Sequence, residues 1–382
     1  MDALIAQVKA LANTADEADH KKLLETLRGL LYSLETPQDS ANRIMYLYMQ
    51  VAVVRIGCDL QLFNMLVENP NPMTIDSLSQ KTGAAPTLLG RILRYLASIG
   101  CIKETDQDTF TKNNVTEALA IPGFQGGIYH NFDTLGPPIQ ALPDFLKEHK
   151  YQDISNVLDG PLQKAWNTDL PSFMWIQTKP ENFANFNQYM AVQRLGMPTW
   201  LDVYPWQAKA KGLKLDQTLF VDLGGGIGHQ SLALREKLPE LPNKIILQDI
   251  PVTLRHAIKH PGIEVIAHDF FQPQVITGAR IYYMRNIMHD YPDDKAIIIL
   301  KNTAAALGPD SVILIDDMII PNTGAHWEAT QLDMTMLTGA SAAERTRDQW
   351  FALAEKAELK INKIYQYTAS LHDSIIECVA LR

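Results

Sequence analysis

His289 is the side chain of this sequence best suited to moving a proton. It follows an apolar run that predicts a buried strand, and a neutral imidazole with a pKa of about 6.5 accepts protons near neutral pH. Asp317 and Glu344 could orient its ring through the second nitrogen, as the acid of a hydrolase triad does. The alternatives left open are an ordinary core or surface histidine and, for Glu344, a surface ion pair with Arg345 or Arg347.

A glycine-rich turn marks a candidate ligand site. The apolar run 219–223, interrupted by Asp222, is followed by Gly224, Gly226 and Gly228 and then by a helical pattern. Glycine allows a sharp strand-to-helix turn whose backbone approaches a ligand. Nicotinamide, flavin and S-adenosylmethionine binders all use such a loop. Asp222 favours the last class, because a carboxylate would repel a pyrophosphate but suits a cationic sulfonium. A tight turn without a ligand is the alternative.

Polar residues at the ends of the next two predicted strands extend this ligand site. Asp249 follows the last loop glycine by about 20 positions, a spacing that suits a carboxylate binding the two ribose hydroxyls of a nucleoside. Asp269 and Phe270 could hold adenine, the acid accepting from its amine and the ring packing on its face. Ligands of open α/β sheets bind at the carboxyl ends of the strands. The alternative for each aspartate is a helix N-cap.

Alternating strands and helices must position these residues. After about residue 215, apolar runs of strand length alternate with helical patterns, which predicts a largely parallel sheet with helices on both faces. The expected fold class is therefore α/β, with a Rossmann-like doubly wound sheet. The predicted strands are 219–223, 244–248, 264–267, 279–284, 311–315, 361–367 and 374–381, and the predicted helices include 229–238 and 348–357.

The first 69 residues have helical patterns. Leucines between positions 23 and 34 recur on one helix face, and Thr36-Pro37 closes that helix and starts the next, since proline suits a first turn. The second helix, about 39–67, is apolar around most of its circumference and is expected to be buried, partly against another subunit.

Residues 73–120 have the outline of a winged helix, with two helices (75–82 and 86–99) followed by a hairpin. DNA binding is disfavoured because the second helix lies in no basic neighbourhood. The wing carries acids at Glu104, Asp106 and Asp108.

Composition narrows the class of protein. The chain has 382 residues, a net charge of -9 and 46% hydrophobic residues, which argues for substantial cores and against nucleic acid or anionic lipid as the main partner. No apolar run is long enough for a membrane span, and the first residues lack the apolar block of a signal peptide. The three cysteines have no metal-ligand spacing and fit a reduced, cytoplasmic protein.

Three motifs in this order resemble one family. The glycine loop 221–228, the segment 285–294 and Glu344-Arg345-Thr346 are similar to those of the small-molecule O-methyltransferases of plant and fungal secondary metabolism. With the winged-helix front half, the resemblance covers nearly the whole chain. It implies S-adenosyl-L-methionine as cofactor, a small-molecule substrate and a homodimer formed through the helical N-terminal half. It also implies domains at 1–120 for dimerisation, 121–210 for a helical linker and substrate pocket, and 211–382 for cofactor binding and catalysis.

The resemblance also assigns residues. It places Gly224 and Gly226 at the amino-acid end of the cofactor, next to Asp222, which the chemistry of the loop already predicts to lie at the cofactor. Asp249 falls at the ribose and Asp269 and Phe270 at the adenine, while Arg285 stands where a cofactor-contacting lysine is common. His289 falls on the catalytic base, with Asp317 and Glu344 on its flanking acids. Asp317 departs from the glutamate usual in the plant enzymes, so its reach is shorter.

Two enzymatic hypotheses follow, and both need the cofactor. The first is methyl transfer to a hydroxyl of an aromatic or polyketide-type metabolite, with His289 as general base. The second is a pericyclase of the leporin type, found in the fungal branch, in which His130 and Arg194 would donate hydrogen bonds to a polarised carbonyl. A DNA-binding regulator is disfavoured by the charge. No metal site is expected, since Asp316-Asp317 lacks a third oxygen ligand in a matching motif.

Overall fold

The computed structural model describes residues 1–154, 156–214 and 216–381. The chain forms two compact units. One consists of Met1–Leu23, Asp153–Ser155 and Met197–Arg382, and the other of Leu24–Gln152 and Asn156–Gly196. The division into three domains expected above stays a prediction.

The N-terminal region is helical, as predicted, but the expected helix over 39–67 is interrupted twice. Gln61 has a left-handed backbone with φ 53°, and the helices on its two sides are bent by 60°. Gly57 permits this bend, because a Cβ at that position would lie only 2.8 Å from the ring of Phe63. The prediction of one continuous helix is therefore wrong. The helices are α1 (Asp2–Thr14), α2 (Glu17–Leu34), α3 (Pro37–Met45), α4 (Leu47–Asp59) and α5 (Leu62–Glu68).

The junction of α3 and α4 is exposed in the single chain, and its expected burial against another subunit stays a prediction. Every side chain from Ile44 to Met49 is more than half exposed although all are apolar or aromatic. Burial in this stretch begins only at Val54 of α4 and continues through Leu62, Phe63 and Leu66 of α5. Among the described residues no single helix has the length and hydrophobicity of a membrane span; α4 and α5 reach both only as a bent pair.

The winged-helix outline is present. Thr74 caps α6 by accepting a hydrogen bond from the Ser77 N–H at 3.2 Å, and Gly83 ends it with φ 73°. Arg94 on α7 pairs with Asp108 at the tip of the wing at 2.9 Å. The elements are β1 (Met73–Thr74), α6 (Ile75–Thr82), α7 (Pro86–Ser98), β2 (Lys103–Asp106) and β3 (Thr109–Thr111), and the strands form an antiparallel sheet in the order β1-β3-β2.

Helices continue between the wing and the large sheet. They are α8 (Asn114–Leu119), α9 (Pro122–Tyr129), α10 (Gly136–Glu148), α11 (Pro161–Trp166), α12 (Ser172–Gln177), α13 (Pro180–Val192), α14 (Trp200–Val203) and α15 (Trp206–Ala210). A π-helical turn, His130–Thr134, separates α9 from α10. Gly123, Gly126 and Gly127 let α9 pack closely on α13, because a Cβ on any of them would lie within 3 Å of that helix.

A seven-stranded mixed sheet confirms the predicted α/β class. Its order is β6-β5-β4-β7-β8-β10-β9; β10 is antiparallel to both of its neighbours, β8 and β9, and the other neighbouring pairs are parallel. The order reverses at β4, so the carboxyl ends of β4 and β7 form the topological switch point where such sheets bind ligands. The strands are β4 (Phe220–Leu223), β5 (Ile245–Asp249), β6 (Ile263–Ala267), β7 (Ile281–Arg285), β8 (Val312–Met318), β9 (Leu359–Gln366) and β10 (Asp373–Ala380).

Helices cover both faces of this sheet. They are α16 (His229–Lys237), α17 (Pro251–Leu254), α18 (Asp293–Ala304), α19 (Trp327–Ala340) and α20 (Arg347–Lys356), of which α17, α18 and α19 had no predicted bounds. Successive strand residues point to opposite faces, so Val221 packs with Ile299 of α18 and Trp350 of α20, whereas Phe220 packs with Trp200 of α14. These two cores hold the ends of the strands in place.

Candidate active site

His289 lies in a short 3₁₀ turn, Met288–Asp290, that follows β7. Its Nδ1 is 2.8 Å from Glu344 Oε1 and 3.7 Å from Asp317 Oδ1. Its Nε2 lies 3.6 Å from Asp290 Oδ1. The structure thus brings together the three residues that the sequence proposed as base and flanking acids. Nδ1 of the ring contacts Glu344, and Nε2 does not contact either flanking acid.

Glu344 and Asp317 are both buried. Glu344 precedes α20 in the chain, and its backbone N–H donates to Asp333 Oδ1 at 2.9 Å. Its side chain is 1% exposed, so a surface ion pair does not describe it. Asp317 lies inside β8, because that strand continues to Met318 instead of ending at 315 as predicted. Neither carboxylate oxygen of Asp317 has a hydrogen-bond partner among the described residues.

The acids determine the charge of the ring. Burial alone would lower the pKa of His289, but the charge of Asp317, the hydrogen bond to Glu344 and the charge of Asp290 raise that pKa to about 10. Burial also raises the pKa of Asp317 well above its usual value, although His289 opposes this. The free protein therefore favours an imidazolium at neutral pH.

The same three side chains are spaced closely enough to suggest a metal site. One donor atom from each of His289, Asp317 and Glu344 lies within 4.8 Å of the others. Two ligands on one tetrahedral zinc are separated by about 3.4 Å, given metal–ligand bonds of about 2.1 Å. The 2.8 Å between His289 Nδ1 and Glu344 Oε1 is shorter and matches a charge-assisted hydrogen bond. The geometry favours a shared proton.

The glycine loop joins β4 to α16 through a backbone that glycine adopts readily and other residues do not. Gly224, Gly226 and Gly228 have φ of 65°, 62° and 95°, a region that L side chains rarely adopt. A Cβ on Gly225 would lie 2.5 Å from Asp222 Cγ, so the loop passes directly over that carboxylate. The Ser231 hydroxyl donates to Asp222 Oδ2 at 2.7 Å, and burial raises the pKa of Asp222 to about 7. Contact of Asp222 with a cofactor stays a prediction.

Asp249 lies at the end of β5 and bonds to the glycine loop. Its Oδ2 accepts from the Gly226 N–H at 2.8 Å, and its Oδ1 accepts from the Ile250 N–H at 2.7 Å. Each oxygen of a carboxylate can accept a second hydrogen bond, so the predicted ribose contact is compatible with these bonds.

Asp269 and Phe270 follow β6. The carboxylate of Asp269 accepts from the Phe271 N–H at 3.0 Å, so it closes a local turn. Among the described residues no helix begins at this position, so the N-cap alternative does not apply. The Phe270 ring reaches the glycine loop, since it lies 3.2 Å from the position of a Cβ on Gly224. The ring of the predicted adenine site and the loop are therefore neighbours.

Arg285 ends β7 beside a buried acid network. Its Nε is 3.7 Å from Asp316 Oδ2, and Asp316 also accepts hydrogen bonds from the Tyr283 and Tyr367 hydroxyls, the latter at 2.7 Å. Burial lowers the pKa of Arg285, but the charge of Asp316 raises it, and the net effect is a rise. The guanidinium therefore remains a cation. Its contact with a cofactor stays a prediction.

His130 and Arg194 belong to the other unit. His130 begins the π-helical turn, is 9% exposed, and has an Nδ1 without a hydrogen-bond partner among the described residues. Its ring packs against Phe186 with centroids 5.2 Å apart, and burial lowers its pKa to about 4, which keeps it neutral. Arg194 follows α13 and donates to Gln193 at 3.3 Å. Their substrate role stays a prediction.

Comparisons with known proteins identify the family. The O-methyltransferase domain model matches residues 155–360, and the O-methyltransferase dimerisation domain model matches residues 42–120. The chain is 40% identical to a demethylsterigmatocystin 6-O-methyltransferase of Aspergillus parasiticus, covering 96% of this chain and 95% of the relative.

Two solved structures are similar over nearly the whole chain. One is described as a pericyclic reaction enzyme and the other as LepI in complex with S-adenosylmethionine. Each has a TM-score of 0.92 and 38% identity, covering 99% of this chain and 98% of the other. The matching domains, the identity to the sterigmatocystin enzyme and the shared fold together establish that this chain belongs to the O-methyltransferase family.

Proposed function

We propose that the protein is an S-adenosylmethionine-dependent O-methyltransferase that acts on a hydroxyl of a small aromatic or polyketide-type metabolite. The observation that carries this proposal is the hydrogen bond of 2.8 Å between His289 and the buried Glu344. Because this bond uses Nδ1, the other ring nitrogen, Nε2, is the atom that takes the proton of a substrate hydroxyl. A neutral phenol with a pKa of about 10 is a poor nucleophile, so removal of that proton is the task the protein must perform.

The glycine loop fits the proposed cofactor. Its positive φ values and the missing Cβ atoms give a backbone that a ligand can approach closely, and Asp222 places an acid beneath it. Phe270 offers an aromatic face beside the loop, and Asp249 has further lone pairs for ribose hydroxyls. Bound S-adenosylmethionine supplies an electrophilic methyl group on a sulfonium and leaves as S-adenosylhomocysteine.

His289 and its acids handle the proton. Because the ring is protonated in the free protein at neutral pH, it must first lose a proton to solvent before it can act as a base. The substrate hydroxyl then gives its proton to Nε2, and the imidazolium that forms again is stabilised by the hydrogen bond to Glu344 and by the Asp317 charge 3.7 Å away. These two acids and Asp290 raise the pKa of His289 to about 10, close to that of a phenol, so the transfer to the neutral ring is nearly balanced. No cation is needed for this step, and we expect activity to survive chelation.

The test is turnover of a panel of phenolic and polyketide-type hydroxyl compounds with S-adenosylmethionine. The wild type should form methyl ethers and S-adenosylhomocysteine in equal amounts. His289→Ala should abolish turnover while calorimetry shows near wild-type affinity for S-adenosylmethionine. The exposed His256 provides the control, and His256→Ala should retain activity. Full activity of His289→Ala would overturn the assignment of the base.

A pericyclase is the second candidate, favoured by two observations. The fold matches the pericyclic reaction enzyme with a TM-score of 0.92. In addition, His130 is a buried neutral imidazole whose Nδ1 lacks a partner among the described residues, as a donor to a substrate carbonyl would be. Cyclised product without S-adenosylhomocysteine, lost in His130→Ala but kept in His289→Ala, would favour this reaction over methyl transfer.

A cytoplasmic homodimer completes the proposal. The matched dimerisation domain begins at residue 42, and the exposed apolar segment Ile44 to Met49 lies at its start. Exposed apolar patches of this kind are typical of interfaces. DNA is not the proposed partner, because Arg94 of the winged helix is paired with Asp108 and the net charge is -9. Light scattering should give a dimer mass, and DNA retardation at low salt should be absent.

A further inference from the structure

Arg345 is a buried cation, 6% exposed, whose guanidinium binds the backbone on both sides of His289. Its Nη1 donates to the Met288 carbonyl at 2.6 Å, and its Nη2 donates to the Tyr291 carbonyl at 2.7 Å. Its Nε donates to Asp293 Oδ1 at 3.1 Å. All three contacts lie in or next to the turn that carries the candidate base.

The backbone of Arg345 connects the other two members of the site. The Ile320 N–H donates to the Arg345 carbonyl at 3.0 Å, and the Arg347 N–H donates to the Ile320 carbonyl at 3.1 Å. Ile320 follows β8, the strand that carries Asp317, and Glu344 is the residue before Arg345. The main chain of Arg345 is thus bonded to the segment just after the strand of Asp317 and adjoins Glu344, while its side chain binds the turn of His289.

We propose that Arg345 is the positioning residue of the candidate active site: it fixes the turn of His289 at the distance where Nδ1 bonds to Glu344. A planar guanidinium supplies several donors in a rigid fork, so it can satisfy two carbonyls at once, whereas a lysine ammonium is a point charge on a flexible stem. The effect of this positioning role on turnover rests on the proposed function. The effect of the role on the His289–Glu344 hydrogen bond does not.

Packing alone would be a different role for Arg345, whose guanidinium carbon lies 5.4 Å from the centre of the Trp350 ring. A packing residue would affect stability without changing the ionisation of His289. A positioning residue must change it, because the ring faces Asp317, Glu344 and Asp290 and its pKa depends on those distances. The pKa of His289 therefore distinguishes the two roles.

The experiment compares Arg345→Lys with Arg347→Lys, which changes a neighbouring arginine whose side chain packs on Phe351. Histidine ¹³C NMR should show the pKa of His289 falling from about 10 towards its ordinary value of 6.5 in Arg345→Lys only. We expect kcat to fall by about 100-fold, as a small misplacement of a reacting group can cost, while KM for S-adenosylmethionine stays unchanged.

A second variant covers the case in which Arg345→Lys fails to fold. Asp293 is about half exposed and accepts a hydrogen bond from Arg345 Nε. Asp293→Asn therefore weakens the contact that orients Arg345 without removing a buried side chain. It should lower the pKa of His289 in the same direction by a smaller amount. An unchanged pKa in the folded variants would refute the positioning role. A lowered pKa in a protein without methyl transfer would refute the proposed function and leave the positioning role intact.

Discussion

Glu344→Gln tests the electrostatics of the candidate base most directly. The pKa of His289 is raised from its ordinary 6.5 to about 10, despite burial that would lower it. At 1.36 kcal/mol per pKa unit, the surroundings of the ring, burial and acids together, stabilise the imidazolium by about 5 kcal/mol relative to the neutral ring. The glutamine keeps an oxygen that can accept from Nδ1 but removes one of the two nearest charges.

The expected effect is a lower pKa for His289. An opposite charge within 4–6 Å is worth about 1–3 pKa units, and Glu344 Oε1 is in direct contact with the ring. We therefore expect the pKa to fall by about 1–3 units, with the rest of the elevation retained because Asp317 is unchanged. The rising limb of kcat/KM against pH reports the same ionisation in the free enzyme, so it should move to lower pH by the same amount.

Histidine ¹³C NMR provides the assay. The chain has ten histidines, and the signal missing from His289→Ala assigns the resonance. Glu355→Gln, on the exposed side of α20, removes the same charge away from the ring and should leave the titration unchanged. A wild-type His289 that titrates near 6.5, or an unchanged pKa in Glu344→Gln, would refute the reasoning.

Three further predictions concern the loop and the assembly. Asp222 is an acid with a raised folded-state pKa, so stability is lost as pH rises from 3.8 to about 7. Over this pH range, the free energy of unfolding measured in urea should therefore fall by about 4 kcal/mol less in Asp222→Asn than in the wild type. A variant whose free energy of unfolding falls as steeply with pH as that of the wild type would contradict this. Gly225→Ala places a Cβ 2.6 Å from Leu247 Cδ1. This overpacking should lower the free energy of unfolding by about 1–3 kcal/mol, and calorimetry should show weaker cofactor binding. Wild-type stability together with wild-type affinity would contradict the close approach. Tyr46→Asp or Leu47→Asp should yield monomers by light scattering, since a charge opposes burial of an apolar interface, and an unchanged dimer mass would place the interface elsewhere.

The parallel strands were predictable because each is a short apolar run bounded by polar residues. The end of β8 was not, since Asp316 and Asp317 are charged residues that a sequence pattern places in a loop. They remain in the strand because Asp316 is satisfied by two tyrosine hydroxyls and Asp317 lies opposite His289. All three partners come from other parts of the chain. A buried acid of this kind cannot be distinguished from a loop acid until the fold is known.

The break in the 39–67 helix shows a second limit of sequence patterns. Neither Gly nor Pro occupies positions 60–62, so no helix-breaking signal marks the bend at Gln61. The bend follows from packing, because Phe63 folds onto the space left by Gly57. Apolar periodicity indicates that a helix needs a partner surface. It does not tell whether that surface is another chain or the next turn of the same one.

The two acids beside His289 have different roles, which motif spacing alone could not separate. The shorter reach of Asp317 predicted a weaker part in orienting the ring, and its Oδ1 is 3.7 Å from Nδ1, beyond a hydrogen bond. Glu344, held by Asp333 through its backbone, makes the bond at 2.8 Å. Orientation is directional and needs a hydrogen bond, whereas a buried charge acts through distance alone. Glu344 therefore sets the angle of the imidazole, whereas Asp317 acts on the ring through its charge and not through a hydrogen bond.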